Sequence, residues 1–148
     1  MITKPMDIAF NKHLQYQELK DFLTGHFFGL DFLLIYENVH SWDDLKPQQS
    51  IFQYMINQEL SGGFKYGLDI ALKSEEVLLI IEKLATNLST YFNCSTICDA
   101  SRVILKENNV FYSLLFEQGK VYLVDDYSYE ETGQVTKIIE LAYDYPQS

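Results

Sequence analysis

An α+β fold, with helices packed on one face of a largely antiparallel sheet and a C-terminal β-meander, is predicted by three features of the sequence. Two segments, Leu14 to Phe28 and Val77 to Leu88, carry apolar residues at helical spacing. A third, Phe64 to Leu72, alternates apolar with small or charged residues, as a half-buried strand does. Glycines at Gly119 and Gly133 cut the C-terminal third into three apolar runs. With 148 residues, 47% of them apolar, the chain can build one core, so residues 1–148 read as a single domain.

The first helix places Leu14, Leu19, Phe22, Leu23 and Phe27 mostly on one side, leaves Gln15, Gln17, Glu18, Lys20 and Asp21 to water, and is ended by Gly29. A nearly continuous apolar run from Leu30 to Tyr36 predicts a short buried strand. Ser41, with Asp44 three residues on, has the form of a helix-capping arrangement and predicts a turn from Ser41 to Leu45. Pro47, tolerated in a first turn, then predicts a helix from Pro47 to Leu60, stopped by Ser61-Gly62-Gly63.

In the alternating strand, Phe64, Tyr66, Leu68, Ile70 and Leu72 take the buried face and Asp69 the opposite one. Ser74 is placed to cap the next helix, which buries Val77, Leu78, Ile81, Leu84, Ala85 and Leu88 and ends near Tyr91. An irregular segment follows from Cys94 to Lys106. Val110 to Glu117 and Lys120 to Asp125 then flank Gln118-Gly119, whose glycine suits a tight hairpin turn, and Gln134 to Tyr143 supplies a third neighbouring strand.

Charge narrows the classes of partner. The net charge is -10 and the only arginine is Arg102. Nucleic-acid binding depends on lysine and arginine neutralising phosphates, so no nucleic-acid partner is expected, and the same repulsion disfavours anionic membranes. A basic protein would be attracted and steered toward such a surface. No apolar stretch suits an export signal or a membrane span, and two cysteines, Cys94 and Cys98, do not make a disulfide framework, so a cytoplasmic location is expected.

No catalytic motif stands out. Cys94 and Cys98 lack a nearby base, and His13, His26 and His40 are distant in sequence; the bland reading is two core cysteines, and the enzymatic alternative is a site assembled from one of them with a distant histidine. Cys94-x-x-x-Cys98 has no second ligand pair, so neither a metal nor another cofactor is expected. Gly62-Gly63 and Gly67 lack the spacing of a phosphate loop. Asp125-Asp126 and Glu130-Glu131 are adjacent pairs, which strand geometry turns apart rather than into an acid–base dyad.

One constellation rises above this background. From Phe111 to Ser148 seven acids face only Lys120 and Lys137, a balance of -5, and Leu123 to Gly133 holds four acids, two tyrosines and no base. Tyrosine gives contact area at little entropy cost and carboxylates pair with lysine or arginine, so Asp125, Asp126, Tyr127, Tyr129, Glu130 and Glu131 suit a basic protein surface. Their bland reading is a solvated connection at a sheet edge. Trp42, Asp43 and Asp44 form a second acidic-aromatic patch, in an N-terminal part of balance -4.

In type, a small acidic single-domain chain without a catalytic motif resembles the immunity proteins with which bacteria neutralise toxic domains. The resemblance carries over no residues. It implies occlusion of a basic toxin domain. A non-catalytic adaptor using an exposed apolar patch is the other alternative, and a homodimer through a strand edge is compatible with each reading.

Overall fold

The computed structural model describes residues 6–58, 60, 63–72, 77–100, 112–125 and 134–141, with only the backbone of 77–79. Among these residues, eight strands and two α-helices follow the chain as β1 (Ile8–Phe10), α1 (Tyr16–His26), β2 (Phe32–Ile35), β3 (Ser50–Ile56), β4 (Tyr66–Ala71), α2 (Val77–Phe92), β5 (Thr96–Asp99), β6 (Tyr112–Glu117), β7 (Lys120–Asp125) and β8 (Thr136–Leu141). All eight strands join one sheet in the order β2-β3-β4-β1-β5-β6-β7-β8. Only β2 and β3 run parallel; the other neighbours are antiparallel. The chain is a sheet-dominated α+β protein.

The helix expected from Pro47 to Leu60 is instead β3. Ser50, Phe52 and Tyr54 are buried while Ile51, Gln53 and Met55 are half-buried, the period of a strand. Backbone geometry decides against the helix: Gln48 takes a positive φ of 68° and the Lys46 N–H donates to the Gln49 side chain, so Pro47 sits in a turn. Beyond it, Ile51, Phe52, Tyr54 and Ile56 are the β-branched and aromatic residues a pleated surface accommodates best, and β3 pairs on both sides, with β2 and β4.

Two more differences come from short strands. Within the segment expected to be irregular, Thr96–Asp99 forms β5, and β1 was not anticipated; these elements of four and three residues are too brief to show a period. β1 and β5 nevertheless sit side by side in mid-sheet, with Ile8 opposite Leu68 on one side and Cys98 on the other. The hairpin of β6 and β7 follows the expected register, with Glu117 opposite Lys120 and positive φ at both Gln118 (53°) and Gly119 (78°), the requirement of the tightest right-twisting turn.

Leu19, Phe22 and Leu23 from α1 and Ile81, Leu84, Ala85, Leu88 and Phe92 from α2 share one core with Ile8, Phe10, Phe52, Leu68, Leu114 and Phe116. Burying each such leucine or phenylalanine stabilises the fold by about 1.5–3 kcal/mol. Alternate residues of the same strands, Ala9, Ile97, Leu115 and Val124, join Phe64 in a second, smaller cluster. One consequence of the topology matters for function. Parallel β2 and β3 need a connection that returns along the sheet, and residues 36–49 make it without an α-helix, at the edge where β2 lies.

Candidate functional site

The returning connection begins as a tight turn. The N–H groups of Val39 and His40 both donate to the Tyr36 carbonyl, at 3.0 and 3.2 Å, and Asn38 at the tip takes a φ of 65°, which asparagine tolerates better than most residues. Glu37 and Asn38 are thereby exposed.

A single 3-10 turn, Trp42–Asp44, follows, closed as its sequence predicts: the Asp43 N–H donates to Ser41 Oγ and the Ser41 N–H donates to Asp44 Oδ2, at 3.3 and 3.0 Å. His40 Nδ1 lies 3.3 Å from the same Asp44 oxygen. These contacts, the Ser41 N–H first, hold the Asp44 carboxyl below its usual range. Asp44 is therefore a structural acid. Asp43 is exposed, and Trp42 leaves 52% of its surface in solvent.

Beside this turn runs a row of rings. His40 meets Tyr16 at 5.7 Å, Tyr16 meets Tyr36 at 5.7 Å, Tyr36 stacks on Tyr54 at 4.7 Å, Tyr54 meets His13 at 6.0 Å and His13 meets Tyr66 at 5.6 Å. Four elements are joined by it: α1, the 36–40 turn, β3 and β4. Two hydroxyls in the row are committed to the backbone of Leu14, since Tyr54 Oη accepts its N–H at 3.1 Å and Tyr36 Oη donates to its carbonyl at 2.7 Å. Burial is the main cause raising both phenol pKa values, so both rings stay neutral.

Between the turn and β3 lies a cleft of about 280 Å³ lined by His13, Tyr36, Glu37, Asn38, Tyr54 and Ile56. Its lining has one acid and no lysine or arginine. From Tyr36 to Leu45 the chain itself carries three acids, Glu37, Asp43 and Asp44, against no lysine or arginine. Among the described residues, five of the eight large exposed apolar ones, Phe28, Leu30, Val39, Trp42 and Leu45, fall in residues 28–45, on either side of β2.

Asp125, from the other acidic stretch, lies apart from this turn. Asp125 ends β7, half-buried and opposite Tyr112 and Thr136, with β3, β4, β1, β5 and β6 between β7 and β2. Asp126, Tyr127, Tyr129, Glu130 and Glu131 lie outside the described residues. The structure therefore brings Trp42, Asp43 and Asp44 together and holds Asp125 away from them.

The cysteines are placed for packing. Cys98 is buried in β5, and the Cys94 thiol donates to the Leu88 carbonyl with its pKa pushed up to about 11 by burial, the reverse of an activated nucleophile. Each histidine contacts something else: His13 the tyrosine row, His26 the Asn87 amide at 2.9 Å, His40 Asp44. No group of three or more His, Cys, Asp or Glu among the described residues is arranged to hold a metal ion, and no helix there is long and apolar enough to cross a membrane.

Tyr36, Glu37, Tyr54 and Ile56 are not singled out in the sequence, and His13 enters there only as one of three histidines distant from the cysteines. Alternation from Ser50 to Ile56 was the available signal, since it puts Tyr54 and Ile56 on the β3 face that meets the row. No family model, curated protein or solved structure matches this chain.

Proposed function

We propose that this chain is a non-catalytic binding protein that docks on and occludes a basic protein, in the manner of a bacterial cytoplasmic immunity protein masking a toxin domain. The observation that carries the reading is the coincidence, on residues 36–45, of a half-exposed tryptophan with three acids and no lysine or arginine, next to a tyrosine-lined cleft. Tryptophan and tyrosine are the side chains that most often dominate binding energy, and a surrounding rim of carboxylates raises the association rate with a positive partner. Trp42 is the anchor in this reading. Asp43 and Glu37 steer, while Asp44 holds the turn that presents them.

The acidic-tyrosine segment with Asp125, Asp126, Tyr127, Tyr129, Glu130 and Glu131 is a second contact surface in the same reading. Helices covering one face of the sheet, with the C-terminal strands as a meander, would leave the β2 edge and the β7 end as two separate docking regions. The test is affinity capture from the native organism's lysate, at low and then moderate salt, with wild-type and Asp43→Lys/Trp42→Ala baits. Salt-sensitive retention of one basic protein by the wild type, lost with the double variant, supports the reading, provided the captured protein's activity is blocked by the wild type. Equal retention by both baits counts against this surface.

A further inference from the structure

We infer that the cleft lined by His13, Tyr36, Glu37, Asn38, Tyr54 and Ile56 receives a single arginine side chain of the basic partner. The inference rests on the docking reading above and specifies one contact within it. Size is the first argument, because about 280 Å³ lies just under the volume at which sites for drug-sized ligands begin, about 300 Å³. One long side chain is the better match.

Chemistry is the second. Tyr36 and Tyr54 line the cleft with their hydroxyls turned to the Leu14 backbone, and Glu37, exposed in the same lining, supplies a carboxylate. A guanidinium is the cation that stacks on rings and at the same time gives a carboxylate two parallel N–H donors. Among the described residues, this chain's own cations sit over other rings of the row. Lys20 Nζ lies 5.8 Å from the Tyr16 ring centre and Lys65 Nζ 5.5 Å from that of Tyr66, while Lys12 Nζ donates to the Phe92 carbonyl at 3.0 Å. The central pair, Tyr36 and Tyr54, borders the cleft. Asn38 at positive φ holds the tip of the turn, so the backbone that carries Glu37 has a defined place.

The experiment is an NMR titration of the full chain with Nα-acetyl-arginine amide, its lysine analogue, its uncharged citrulline analogue and choline. Expected is a saturable shift of the His13, Tyr36 and Tyr54 ring signals with the arginine probe, weaker with lysine, and absent with citrulline. Glu37→Gln, at an exposed turn position, weakens arginine binding by about two- to five-fold, the size of one exposed ion pair. No saturable shift, equal shifts with citrulline, or choline binding as tightly as arginine would each overturn the assignment. The two proposals fail separately. A chain that ignores the arginine probe but still captures and blocks a basic protein loses only this inference, whereas loss of capture with the probe still bound removes the docking reading.

Discussion

At the scale of single residues, the polar groups that tie elements together set the measurable behaviour. Asn87 Nδ2 lies 2.9 Å from His26 Nε2, so that ring nitrogen accepts and the ring proton sits on Nδ1, which has no hydrogen-bond partner among the described residues. Burial first, and then the charge of Lys83, lower the His26 pKa from 6.5. The unfolded chain therefore binds a proton at higher pH than the folded one, so stability falls as pH drops from about 6.5 toward the lowered value. Urea unfolding at stepped pH should show that loss in the wild type and a flatter profile in His26→Gln, whose amide does not titrate; parallel profiles would show that His26 is not the group responsible. The Leu14 clamp gives a second residue-scale expectation. Tyr54→Phe strands a buried N–H and should cost about 1–3 kcal/mol, more than Tyr36→Phe at about 1 kcal/mol, since the Leu14 carbonyl keeps a second lone pair. Equal costs in urea melts would mean that the two hydroxyls share one role.

Elements differ in how far their sequence specifies them, and the β6–β7 hairpin is the most self-contained. Both turn residues have positive φ, so Gly119→Ala should destabilise by about 1 kcal/mol. Gln118→Asn, a residue better suited to that conformation, should stabilise by up to about 0.5 kcal/mol, read from thermal or urea melts. A stabilising Gly119→Ala would contradict the turn. Such local signals explain what was legible in the sequence: α1, the stripe Ile81, Leu84, Ala85 and Leu88, β4, the hairpin and the Ser41–Asp44 cap each carry their own period or turn residue. β3 was not legible, because Pro47 imitates a helix start while the pairing that makes Ser50–Ile56 a strand comes from β2 and β4. That error also hid the cleft. Once Tyr54 is placed in a helix, nothing connects it to Tyr36 or His13, and only the half of the site encoded contiguously, Trp42, Asp43 and Asp44, could be seen.

For the whole molecule, the question is whether a charge of -10 acts as a general field or through particular places. A general field would slow or speed every encounter alike when any one acid is reversed, in proportion to net charge alone. Local action ranks the acids instead. Glu37 and Asp43 are exposed on the segment that carries Trp42, whereas Glu117, on β6 with β3, β4, β1 and β5 between it and β2, is bound by Lys137 and by Ser95, at 2.7 and 2.8 Å, and these contacts lower its pKa. Reversing Asp43 to lysine should therefore slow association with a captured basic partner and flatten its salt dependence, leaving the unfolding free energy within about 0.5 kcal/mol of wild type. Asp125→Lys changes net charge by the same amount from the far end of the sheet. If stopped-flow association slows equally for the two variants, the steering belongs to the whole acidic surface or is divided between both patches. If Asp43→Lys alone slows it, the partner approaches the β2 edge. A slowing confined to Asp125→Lys moves the docking surface to the end of β7, and Trp42 then has no part in the first encounter.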